Sequence, residues 1–81
     1  MELNETIEMM QSADYKERFE AEYYQLMIRI EKLDTMLNRW DAGELDFEPT
    51  CPYDMLAAQL AAMRSYIFIM RMRAELEGIK F

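Results

Sequence analysis

The sequence predicts an all-α fold, an antiparallel helical hairpin, and three observations carry that reading. Two long segments repeat apolar residues at alternating spacings of four and three, which keeps those side chains on one side of an α-helix. Of the two glycines and two prolines, Gly43, Pro49 and Pro52 cluster together and leave both segments uninterrupted. At 81 residues the chain is one small domain, near the lower size at which a core suffices on its own, so self-association is a natural supplement.

The elements follow in order: an N-terminal arm over 1–13, a helix over 14–42, a connection over 43–51, a helix over 52–77 and a tail over 78–81. In the arm, Leu3, Ile7 and Met10 share one helical side, but a helix under about 12 residues depends on tertiary contacts. Ser12-Ala13-Asp14 reads as a break, with Asp14 and Glu17 at capping-box spacing; a helix continuous through this point is the rival reading.

The first long helix carries a single seam of Phe19, Tyr23, Leu26, Ile30, Leu33, Leu37 and Trp40, and its opposite positions Arg18, Gln25, Lys32 and Arg39 are polar. Tyr24 and Ile28 lie off that seam, as a small contact patch or as the seat of the arm. Gly43 suits the left-handed residue that closes a helix. In the connection Leu45 and Phe47 alternate with Glu44, Asp46 and Glu48, so the apolar pair folds back over the bundle end while the carboxylates face water.

The second long helix is unusual. Pro52 fits its first position with Cys51 as N-cap, and Gly78 ends it. One seam, Leu56, Leu60, Met63, Ile67, Met70 and Ala74, matches the first helix. A second, Met55, Ala58, Ala62, Ser65, Ile69, Met72 and Leu76, points roughly 160° away at about 100° per residue, and one partner helix cannot cover both. The small residues in its middle permit close helix approach. The expected solution is a symmetric dimer that joins two hairpins into a four-helix bundle, with this second seam as the subunit interface.

Charge is uneven within the net −7. Residues 1–14 carry −4 and the connection −3, while 52–81 sum to +1. Without a Lys/Arg run the chain is a poor binder of a nucleic-acid backbone, although its acids could mimic nucleic acid to a basic partner. Cys51 is the only cysteine, which excludes an internal disulfide and suits a reducing compartment. The N-terminus lacks the order of a secretory signal, and arginines interrupt the most apolar run, so no membrane span is expected.

Catalytic signatures are sparse. Histidine is absent, which removes the commonest general base and the histidine ligands of di-iron and zinc sites. There is no glycine-rich phosphate loop, and the carboxylates fall at spacings any acidic helix shows. No enzymatic role, cofactor or metal is expected. Arg64 and Arg71 lie on one flank of the second helix, with Tyr66 and Arg73 on the other, and arginines beside an aromatic can grip an anionic ligand such as a signalling nucleotide. The bland alternative is ion pairing with Glu20, Glu31 or Asp34.

The segments Asp14-Tyr15-Lys16-Glu17-Arg18-Phe19, Arg29-Ile30-Glu31-Lys32-Leu33, Cys51 to Tyr66 and Arg73-Ala74-Glu75-Leu76-Glu77-Gly78-Ile79 resemble a family of small phage proteins named after an open reading frame of a crAss-like phage. The resemblance covers most of residues 14–79 and excludes the acidic arm. It implies a phage or prophage accessory protein in the bacterial cytoplasm, with no catalytic activity and no site residues to carry over.

Three roles follow. The first is an anti-defence protein, anti-CRISPR-like, that blocks a host protein through its acidic surface, with Glu44, Asp46, Glu48, Tyr24 and Ile28 as partner surface. The second is an oligomeric sponge that holds a small anionic defence signal, such as a cyclic nucleotide, between subunits through Arg64, Tyr66, Arg71 and Arg73. The third is a purely structural phage component.

Overall fold

A computed structural model describes residues 2–81. Among them the secondary structure is entirely helical: a 3₁₀ turn at Leu3–Thr6, then α1 (Ile7–Met10), α2 (Tyr15–Asp41) and α3 (Tyr53–Glu77). α2 and α3 form an antiparallel hairpin. Side-chain bonds pair Tyr15 with Glu77, Tyr23 with Arg71, Asp34 with Arg64 and Asp41 with Tyr53, so residue numbers rise on α2 as they fall on α3.

Local chemistry sets the helix ends. The Asp14 carboxylate accepts the Lys16 N–H at 3.0 Å, which satisfies one orphan donor of the first turn. The expected reciprocal bond from Glu17 is not what completes the cap: the Ser12 hydroxyl accepts the Asp14 N–H at 3.0 Å. Arg18 donates to the Ser12 carbonyl at 2.8 Å and fixes the chain reversal, so the rival continuous helix is excluded.

Gly43 and Gly78 both take the left-handed conformation, with φ of 73° and 72°. Beyond α2 the Glu44 N–H reaches the Arg39 carbonyl at 2.8 Å, and beyond α3 the Ile79 N–H reaches Ala74 at 2.8 Å; both are the long bond of a Schellman closure. At the start of α3 the N-cap is Pro52, not Cys51 as the sequence suggests. Pro52 combines φ −61° with an extended ψ of 149°, and its carbonyl accepts the Met55 and Leu56 N–H groups.

The core lies along the hairpin seam. Phe19, Tyr23 and Leu26 of α2 cluster with Ile67, Met70 and Ala74 of α3. All six residues of the expected first seam of α3 are buried or half-buried, as are all seven of α2. The tail differs from expectation. Ile79 is 6% exposed within the same cluster, and the Phe81 ring stacks on Tyr23 with centroids 3.9 Å apart. A Schellman closure brings the residue after the glycine back onto the last turn, so Ile79 meets Ala74 instead of trailing into water.

α2 also has a second, smaller buried side. Ala21 and Ile28 are buried and flank Gln25, which donates to the Thr6 hydroxyl at 2.9 Å and to Met10 Sδ. The Thr6 hydroxyl in turn donates to the Leu3 carbonyl at 2.6 Å, so this buried polar group is satisfied. The arm therefore packs on the side of α2 turned away from α3. Tyr24 and Ile28 do not make an open patch: Ile28 is buried, and half-buried Tyr24 meets Tyr23 and Phe81 edge-on.

Candidate functional site: the outer face and flank of α3

Every residue of the second seam, Met55, Ala58, Ala62, Ser65, Ile69, Met72 and Leu76, is exposed. The larger ones are bare to a degree unusual for their type, with Leu76 at 88% and Met55 at 60%. Phe68 adjoins them at 59% exposure and widens this face toward the Arg64 and Arg71 flank.

The four residues read as an anion site do not converge within one hairpin. Tyr66 donates to Glu22, and Arg73 donates to the Tyr15 hydroxyl at 2.9 Å, pairs with Glu77 at 3.4 Å and lies over the Phe19 ring at 5.0 Å. Partial desolvation lowers the Arg73 pKa, but Tyr15 and Glu77 outweigh it and hold it above its ordinary value. Both residues of this flank are engaged by side chains of their own hairpin.

The other flank is more open. Arg64 pairs with Asp34 at 3.0 Å, one of the partners that the bland reading names. Arg71 has a neutral partner: its Nε donates to the Tyr23 hydroxyl at 3.1 Å, with the guanidinium 5.9 Å from that ring's centre. Among the described residues Arg71 makes no ion pair. Arg64, Ile67, Phe68 and Arg71 form one wall of an open groove of about 340 Å³, and Met27 and Ile30 form the other. Seven-residue spacing puts Arg64 and Arg71 in line, and Phe68, four after one and three before the other, completes the wall.

At the closed end of the hairpin, Trp40 packs edge-on against Tyr53 with centroids 5.3 Å apart, and Tyr53 donates to Asp41 at 2.8 Å. That hydrogen bond, then desolvation and the nearby carboxylates Asp41 and Asp54, raises the Tyr53 pKa. Beyond it Glu44, Asp46 and Glu48 are exposed, as expected. Leu45 tucks in halfway, while Phe47 remains 54% exposed. Cys51 is exposed, no group of three or more His, Cys, Asp or Glu among the described residues could hold a metal, and no helix is long and apolar enough to cross a membrane.

A family model described as Sequestin matches residues 13–76. The chain belongs to the Sequestin family. The matched span takes in both helices of the hairpin and the connection, and it leaves out the acidic arm and the tail of this Sequestin protein. Neither a curated protein nor a solved structure matches it.

Sequence reasoning missed Phe68 as part of the groove, and missed that the tail packs back on the hairpin through Ile79 and Phe81. Phe68 was legible from its place between two arginines. The tail was legible only through the rule that the residue after a closing glycine packs back on its helix.

Proposed function

We propose that this chain is a non-enzymatic sequestering protein that self-associates through the outer face of α3 and holds a small anionic molecule of the cyclic-nucleotide class. The observation that carries this reading is the groove beside Arg64 and Arg71, where Arg71 is held by a tyrosine and so keeps its charge available. The family's description, a word for holding something out of circulation, agrees with it. Burying an apolar stripe against a second copy is the reason to join hairpins, and the exposed Met55 to Leu76 face supplies that stripe. The setting that fits best is a phage or prophage protein in the bacterial cytoplasm, acting against a host defence signal.

Thermal shift against a panel of cyclic mono- and dinucleotides tests the proposal. A ligand at 100 times its Kd adds about 2.7 kcal/mol, a large upward shift for a domain of this size. No shift with any member overturns it.

A second reading has its own support in the exposed acids Glu44, Asp46 and Glu48 around half-exposed Phe47. Here the protein occupies a basic channel of a host defence protein, anti-CRISPR-like, and its binding weakens steeply as salt rises. Pull-down from a bacterial host at two salt concentrations tests it, and a salt-insensitive complex counts against it.

A further inference from the structure

Arg71 lines a second groove as well as the one beside Phe68. This one, of about 360 Å³, lies where the tail folds back, with Ala74 and Ile79 as its floor and Glu75, Lys80 and Phe81 at its edge. Each groove alone sits at the small end of ligand pockets, and together they reach the ordinary range. Arg71 stands where they meet, held by Tyr23, and Phe81 stacks on the same Tyr23 ring.

The chemistry of the walls selects among anions. In the tail groove Arg71 and Lys80 outnumber Glu75, whereas in the Phe68 groove Glu31 gives an inorganic anion nothing to bond. A nucleoside phosphate suits both signs: its phosphate takes charge-assisted hydrogen bonds from a guanidinium, and the amino group of its base donates to a carboxylate. Its flat ring also suits an exposed aromatic side chain over an apolar floor.

We propose that one nucleoside phosphate spans the two grooves, with its phosphate between Arg71 and Lys80 and its base against Phe68, where Glu31 accepts the base amino group. This rests on the sequestering reading and places its site on the Arg71 flank of a single hairpin, away from Tyr66 and Arg73. The tail thereby becomes a wall of the site.

Isothermal titration of the full chain with cyclic AMP, cyclic di-AMP, cyclic di-GMP and ADP tests this, with inorganic pyrophosphate as the bare-anion comparison. For the nucleotide that binds, Arg71→Ala and Lys80→Glu each lower affinity at least about tenfold, the scale of one lost charge-assisted bond. Both positions are exposed, and far-UV circular dichroism verifies that the variants stay folded. Arg73→Ala binds like the parent, pyrophosphate binds more weakly than the nucleotide, and the Arg71 Nε–H NMR resonance of the parent moves on titration. Failure of the parent to bind any nucleotide overturns the sequestering reading and the site with it. Binding that survives Arg71→Ala and Lys80→Glu, or that Arg73→Ala abolishes, overturns the site and leaves the reading standing.

Discussion

Replacing Ile79 with alanine removes a side chain that the fold draws into its core from beyond the last helix. The residue is 6% exposed among Phe19, Tyr23, Ile67, Met70 and Ala74, and its N–H closes α3 on the Ala74 carbonyl. The substitution deletes three carbons, worth about 2.4 kcal/mol at roughly 0.8 kcal/mol each. The cavity term is small, because a segment held by one capping bond collapses more readily than a helix interior, so the expected loss is about 2–3 kcal/mol, the low end for such truncations. A domain of 81 residues holds about 4–12 kcal/mol in total. The midpoint of thermal unfolding should therefore fall by about 10–20 °C. Far-UV circular dichroism with heat and with urea reads this, at one fixed protein concentration because the proposed self-association would make stability concentration-dependent. Lys80→Ala, next door and exposed, should stay within about 0.5 kcal/mol of the parent. If the two variants melt together, Ile79 is not core and the tail does not wall a groove.

Two further outcomes check other parts of the reasoning. Ala62→Glu places a charge in the middle of the exposed stripe, so light scattering should show the assembly reduced to single hairpins while helix content is kept; an unchanged mass removes this face as the interface. Tyr53 has a raised pKa because its protonated hydroxyl donates to Asp41, so the stability it adds is present below about pH 10 and lost as pH climbs through the raised value. Tyr53→Phe should flatten that alkaline loss, and an identical alkaline profile in both proteins would refute the link.

Much of the hairpin was legible because its signals are local or periodic. Leu56 to Ala74 and Phe19 to Trp40 follow a period that only one packing satisfies, and glycine is favoured at the φ of Gly43 and Gly78. The arm's seat was legible only at Ile28, because Ala21 is too small to mark a face and Gln25 reads as solvent-facing until Thr6 is placed beside it. The capping box at Asp14 was anticipated with the wrong second partner, since Ser12 competes from outside the helix for the same N–H. The separation of Arg64 and Arg71 from Tyr66 and Arg73 within one hairpin has another origin. Heptad spacing fixes the flank of α3 on which a residue lies, but not whether α2 offers that flank a carboxylate, as at Asp34, or a phenol, as at Tyr23.

That difference separates the two roles proposed for α3. At about 100° per residue, Arg64 and Arg71 fall within about 20° of each other, while the stripe runs from about 80° at Met72 to about 180° at Met55 round from Arg64, with Ala58, Ala62, Ile69 and Leu76 at about 120–160°. A second hairpin seated on the stripe therefore leaves the Arg71 flank open to a small molecule. Phe68 is the exception, some 40° from Arg64 on the side toward the stripe, and it is the one large exposed side chain that both surfaces share. If the partner copy covers it, association and ligand binding compete for the same ring. If the partner stops short, the ring is ordered by either event and each favours the other, because coupling between sites is reciprocal. The sign of that coupling is readable as the change in apparent ligand affinity with protein concentration. Ala62→Glu supplies the single-hairpin limit, since it lies on the stripe and not on the groove.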